Sequence, residues 1–181
     1  MIIRSKAPLR LGLAGGGSDV SPYSDLYGGL ILNATINLSA YCTIETVPGD
    51  SVQIDAYDAG AHTSCPFQEK LDGAPDLIRG VYERVVRDFG PVPGPFRITT
   101  SNDAPAGSGL GTSSTMVVCI LKCFAEWMNL PLGDYEIEYT RCFANPASDL
   151  LKYVYFYSRL KEHLGMLEHP DYYTKKWRYK L

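Results

Sequence analysis

From Asp103 to Ser114 the chain reads Asp-Ala-Pro-Ala-Gly-Ser-Gly-Leu-Gly-Thr-Ser-Ser, with an apolar run from about Thr112 to Met128 directly behind it. Glycines at 107, 109 and 111 permit left-handed backbone and leave no Cβ between the main chain and a ligand. The run behind them has the length and composition of a helix, closed by Asn129-Leu130-Pro131. A glycine loop feeding a helix start offers unpaired amides and the positive end of the helix dipole, and both attract an anion. The hydroxyls of Thr112, Ser113 and Ser114 stand where that helix begins, within reach of a phosphate oxygen or a phosphate-bound Mg2+. No Lys follows Gly111 and the spacing is not Gly-x-Gly-x-x-Gly, so this is neither a Walker A loop nor a dinucleotide fingerprint. A plain alternative stays open for the loop taken alone: a flexible turn capped by Thr112.

A second glycine loop lies near the N-terminus, in Ala7-Pro8-Leu9-Arg10-Leu11-Gly12-Leu13-Ala14-Gly15-Gly16-Gly17-Ser18-Asp19. A strand-like segment, Ile2 to Leu13, delivers the cation Arg10 and then a turn with amides, a hydroxyl and a carboxylate. That mixture suits a polyhydroxylated ligand: Asp19 accepts from sugar hydroxyls, while Gly15, Gly16, Gly17 and Ser18 hold an oxygen or phosphate. Asp19 has an alternative as N-cap of a short segment from Val20 to Leu26.

The rest of residues 1–134 alternates strand and helix patterns. Leu30 to Val47 is rich in β-branched and aromatic residues and predicts one or two strands; Val52 to Tyr57 alternates as a half-buried strand. Pro75 to Phe89 places Leu77, Ile78, Val81, Val85 and Phe89 on one helix face, and a short strand is expected at Phe96 to Thr99. Without a regular repeat, this pattern predicts an α/β or α+β fold.

At 181 residues, with 45% hydrophobic and 20% charged residues, the chain can bury a sizeable core. A net charge of −3 gives no nucleic-acid footprint, and no apolar run reaches the ~18 residues of a membrane span. The opening Met1-Ile2-Ile3-Arg4-Ser5-Lys6 lacks a leader pattern, so the cytoplasm is the expected compartment. Five widely spaced cysteines (Cys42, Cys65, Cys119, Cys123, Cys142) include no Cys-x-x-Cys pair, and His62, His163 and His169 are not at ligand spacing; the thiols read as small buried hydrophobes.

Residues 135–181 differ in character. They hold eight of the thirteen tyrosines, one glycine (Gly165), and eight Lys and Arg against six Asp and Glu, where residues 1–134 hold nine against fourteen. Asn145-Pro146 reads as the start of a helix running to Leu164. The closing mixture of cations and aromatics from Tyr172 to Lys180 reads as a solvated terminus rather than a base-stacking surface.

Ala-Pro-x-Arg leading into a glycine loop, followed about ninety residues later by Pro-x-Gly-x-Gly-Leu-Gly-Thr-Ser-Ser, resembles the GHMP kinase superfamily over roughly residues 1–138. The wordings Leu-Ala-Gly-Gly-Gly-Ser-Asp and Ser-Gly-Leu-Gly-Thr-Ser-Ser-Thr are similar to its D-glycero-D-manno-heptose 7-phosphate kinase branch. The resemblance implies a ribosomal-protein-S5-like N-terminal α/β domain, with ATP and Mg2+ as cofactors and a small sugar or sugar phosphate as acceptor. It implies that Pro105, Gly107, Ser108, Gly109, Leu110, Gly111, Thr112, Ser113 and Ser114 hold the triphosphate and that Ser113 binds Mg2+. Gly15, Gly16, Gly17, Ser18 and Asp19 would face the sugar, with Arg10 beside the reacting oxygens. The implied reaction is transfer of the γ-phosphoryl group to a sugar hydroxyl, the anomeric one for a heptose 7-phosphate. Fucose and galactose are the alternative acceptors, and a nucleotide- or sugar-phosphate-binding module without turnover is the alternative in kind.

Two parts of the family pattern are absent from these residues: a Gly-Gly-x-x-Asp-Gln segment carrying a catalytic Asp, and a third glycine-rich motif. Asp149 and Asp171 stand in the wrong context for the first. The expectation is therefore a family domain over 1–138 and a divergent, mostly helical tail over 139–181, frameshifted or fused, in a truncated and weakly active kinase. A homo-oligomer is left open, since such a domain would expose the face meant for its partner.

Overall fold

Alternation of apolar and polar side chains builds the sheet. The structure, a computed structural model, describes residues 1–18, 22–68 and 70–132. The expected helix at 145–164 and the division at 138 lie outside the described residues. In order, the elements are β1 (Ile2–Ala14), α1 (Tyr23–Tyr27), β2 (Leu32–Thr46), β3 (Ser51–Ala56), β4 (Ala61–Pro66), α2 (Asp76–Phe89), β5 (Phe96–Asn102) and α3 (Thr112–Trp127). The strands form one five-stranded sheet in the order β1-β2-β5-β3-β4, antiparallel except where β3 pairs with β5. The fold is α+β, as expected.

The register places apolar side chains in rows across the sheet. Ile3, Ile44, Ile98 and Ile54 are successive partners across β1, β2, β5 and β3. Val52, Ile54 and Ala56 are buried in alternation with the half-buried Ser51, Gln53 and Asp55. On that face α3 buries Met116, Val117, Ile120, Leu121 and Phe124, and α2 adds Ile78, Val81, Tyr82 and Val85. Phe124 sits among Phe96 (ring centroids 5.5 Å apart), Tyr82 (6.1 Å) and Trp127 (6.3 Å). Helix α3 ends one residue before the expected Met128, and Asn129 takes a left-handed φ of 51° just beyond it, a standard helix stop.

Several boundaries differ from expectation. Leu30 to Val47 gives a single long strand; β5 continues to Asn102, three residues beyond Thr99; and β4 was not read from the sequence. Its core-facing positions are short, with Cys65 buried, so the alternation is faint. Pro22, not Asp19, occupies the N-cap position of α1. The cysteines are where small hydrophobes belong: Cys42, Cys65, Cys119 and Cys123 are free and buried. Burial pushes the Cys42 thiol well above its ordinary value and raises Cys119 to about 11. Cys142 lies outside the described residues.

The ladder between β1 and β2 breaks beside the site. Pro8 pairs with Ser39 but Arg10 pairs with Thr35, so β2 carries the extra length and bulges at 36–38. Beyond the bulge, β1 runs on to Ala14 and delivers the first glycine loop.

Candidate functional site

The second loop is held in the shape its glycines predict. Gly107, Gly109 and Gly111 have φ of 79°, 75° and 74°, all left-handed. Gly111 is the N-cap of α3, so the cap is a left-handed glycine rather than Thr112, and no side chain caps the helix. Thr112 is instead the first helical residue and is buried, while Ser113 is exposed and Ser114 half-buried. The hydroxyl open to a ligand in the first turn is therefore that of Ser113. The first helical bond runs from the Thr115 amide to the Gly111 carbonyl at 2.9 Å, leaving the amides of Thr112, Ser113 and Ser114 ahead of the ladder. No acidic residue stands in the first turn to repel an anion.

Arg10 belongs to this loop in space. Its amide donates to the Leu110 carbonyl at 3.2 Å. A Cβ placed on Gly111 would stand 3.6 Å from Arg10 Cγ and Nε, so the side chain lies directly along the glycine. The structure thus brings Arg10, Leu110, Gly111 and the α3 N-terminus into one place. Pro105, Ser108 and Gly109 form its exposed rim, with the Ser108 amide turned onto the Pro105 carbonyl at 3.3 Å.

The first loop owes its shape to Gly15. At φ 78° it packs so tightly that a Cβ would fall 1.8 Å from the Leu30 carbonyl oxygen. Ser18 closes the turn: its amide donates to the Gly15 carbonyl at 3.0 Å, and its hydroxyl lies 2.7 Å from that oxygen and 3.1 Å from the Leu30 carbonyl. The same hydroxyl accepts the Leu30 amide at 3.2 Å. The single Ser18 hydroxyl proton is taken by the loop itself, so Ser18 serves here as a staple. Gly16 and Gly17 are exposed, and Asp19 lies outside the described residues.

Sequence reasoning missed the anchor of the second loop. Asp103 Oδ2 accepts the Ser39 amide at 2.9 Å and the Tyr41 hydroxyl at 3.1 Å, and the Asp103 amide donates to the Ser39 carbonyl at 3.0 Å. A carboxylate directly after a strand and before Ala-Pro was the available signal.

Residues 76–144 match the family GHMP kinases N terminal domain. Over 137 residues the chain is 47% identical to the D-glycero-alpha-D-manno-heptose 7-phosphate kinase of Campylobacter jejuni, covering 75% of this chain and 40% of that protein. The crystal structure of a D-glycero-D-manno-heptose 1-phosphate kinase from Bacteroides thetaiotaomicron superposes with a TM-score of 0.76 at 62% identity, over 81% of this chain and 48% of that one. In sequence and in fold the chain is similar to the N-terminal part of GHMP kinases. It spans less than half the length of either relative. The mevalonate kinase of Methanococcus jannaschii, at 19% identity and a TM-score of 0.63, shares the fold. The strand that leads into the first glycine loop thus meets the second loop at Arg10.

Proposed function

We propose that this domain grips ATP for an ATP-dependent sugar-phosphate kinase whose acceptor is a heptose 7-phosphate, phosphorylated at the anomeric hydroxyl. The observation that carries the reading is the placement of Arg10 along Gly111, at the head of an uncapped helix and a loop of three left-handed glycines. Amides, a guanidinium and hydroxyls are all groups that favour a polyanion, and the loop has room, since a Cβ on Gly107 or Gly109 meets nothing within 4 Å. Bound ATP supplies the γ-phosphoryl group, and bound Mg2+ supplies charge neutralisation at its phosphate oxygens.

Within this reading, the backbone from Gly107 to Ser114 and the α3 dipole hold the phosphates. Ser113 gives the metal one hydroxyl oxygen, consistent with an ion that keeps waters and phosphate oxygens as its other ligands. Arg10 neutralises charge where the transferred group meets its acceptor. Gly15, Gly16, Gly17, Ser18 and Asp19 would face the sugar, with the Ser18 hydroxyl also keeping that loop closed. The 7-phosphate acceptor follows the name of the Campylobacter jejuni relative. The Bacteroides thetaiotaomicron structure is named for a heptose 1-phosphate, whose anomeric oxygen is already phosphorylated, and it supports only the broader class of heptose phosphates.

The alternative reading is a nucleotide- or sugar-phosphate-binding module without turnover. Titration with MgATP followed by a phosphoryl-transfer assay on heptose 7-phosphate, fucose and galactose separates the readings. Turnover that Ser113→Ala abolishes excludes the binding module. Absence of nucleotide binding removes both.

A further inference from the structure

The antiparallel ladder between β2 and β5 ends with the pair Ala40 and Asn102. The next pair would be Ser39 with Asp103, and only half of it is made by main chain: the Asp103 amide donates to the Ser39 carbonyl. The reciprocal bond, from the Ser39 amide, goes to the Asp103 side chain. By substituting a carboxylate oxygen for its own carbonyl, Asp103 satisfies the amide of buried Ser39 while its main chain turns out of the sheet. Ser39 is also the last regular partner of β1 before the register break that brings Arg10 alongside the loop. The same carboxylate oxygen accepts the Tyr41 hydroxyl, and Lys6 Nζ lies 5.5 Å from the centre of that ring. One side chain therefore fixes where the second loop leaves β5, relative to the strand pair that carries Arg10.

We propose that Asp103 is the positioning residue of the second glycine loop: its carboxylate, held by the Ser39 amide and the Tyr41 hydroxyl, sets the loop so that Leu110 and Gly111 dock on Arg10. Its consequence for nucleotide affinity rests on the phosphate-loop reading above; the docking itself does not. The carboxylate acts as a double acceptor, and the amide oxygen of Asn can fill the same two bonds, whereas Ala makes neither.

The test uses the full chain with Asp103→Ala, Asp103→Asn and Tyr41→Phe. The first readout is hydrogen exchange of the Arg10 amide, which reports docking because it donates to Leu110, compared with the Val81 amide in α2. Asp103→Ala is expected to speed Arg10 exchange about tenfold with Val81 unchanged, Asp103→Asn to restore the wild-type rate, and Tyr41→Phe to give a smaller rise. Equal acceleration at both amides reduces the role to general stability and overturns the proposal, as does an unchanged Arg10 rate. If Asp103→Ala does not fold, the Tyr41→Phe comparison decides. The second readout is MgATP affinity by calorimetry, expected to fall roughly tenfold in Asp103→Ala and to recover in Asp103→Asn. A binding wild type with an equally tight Asp103→Ala overturns the proposal. A wild type that binds no nucleotide removes the kinase reading, while the exchange result still decides whether Asp103 positions the loop.

Discussion

The Arg10 amide and the Leu110 carbonyl share a hydrogen bond of 3.2 Å, although they stand a hundred positions apart in the chain. That bond joins the strand leading into the first glycine loop to the turn of the second. It makes the head of α3 and the Arg10 guanidinium parts of one site.

Gly111 adopts a φ of 74°, and a Cβ there makes only ordinary contact with Arg10. Gly111→Ala therefore costs the left-handed strain alone, roughly 1–2 kcal/mol. The expected outcome is a melting temperature a few degrees lower and MgATP affinity reduced by about tenfold, read by scanning and titration calorimetry.

Gly15 has no such latitude, because the Cβ of Gly15→Ala would meet a main-chain oxygen at 1.8 Å. Gly16 is open on the same measure. Gly15→Ala should lower the melting temperature by several degrees and Gly16→Ala should leave it nearly unchanged. Equal behaviour of the two variants would remove the close approach of Leu30 as the cause.

Ser113 is exposed at the start of α3 and makes no capping bond there. Ser113→Ala should keep the wild-type melting temperature. The gain in ATP affinity on adding Mg2+ should shrink by about tenfold if the hydroxyl is a metal ligand. Paired titrations with and without Mg2+ read the difference.

Phe124 is fully buried among Phe96, Tyr82 and Trp127. Truncation to Ala leaves a cavity among these rings, at a cost of about 3–5 kcal/mol. Urea unfolding should show a correspondingly lower midpoint with an unchanged slope.

Cys119 titrates at about 11 in the fold, raised chiefly by burial, against an ordinary value of 9.0. The folded state therefore holds its proton more tightly than the unfolded state. This contribution to stability is complete below pH 9 and disappears as pH rises from 9 to 11. Two units correspond to roughly 2–3 kcal/mol; Cys42, also raised by burial, acts in the same direction, and Cys123, lowered by its hydrogen bond with Cys42, acts against it. Thermal scans across that window should show a falling melting temperature that Cys119→Ala makes shallower.

Much of this domain was legible from residue order. The alternation in Val52 to Tyr57, the apolar face from Leu77 to Phe89 and the glycine spacing at 107, 109 and 111 each carry a local signal that fixes their conformation. What escaped were features that depend on partners distant in the chain. Thr112 looks like a cap because helices often begin on such residues, yet the left-handed Gly111 precedes it and packing buries its side chain. For Ser18, nothing in the sequence reveals that Leu30 returns to bond its hydroxyl. Asp103 showed its type and place, but its work depends on Ser39 and Tyr41, 64 and 62 positions earlier in the chain.

The register break at Ser39 also bears on how the domain comes into being. The docking of Arg10 on Leu110 needs the first strand, the bulged second strand and the fifth strand already aligned, with the last helix attached. A ribosome must therefore release most of the described residues before this site exists at all. On the proposed function, a nucleotide would find its loop in place only on the completed sheet, so binding would reward that sheet rather than guide its assembly.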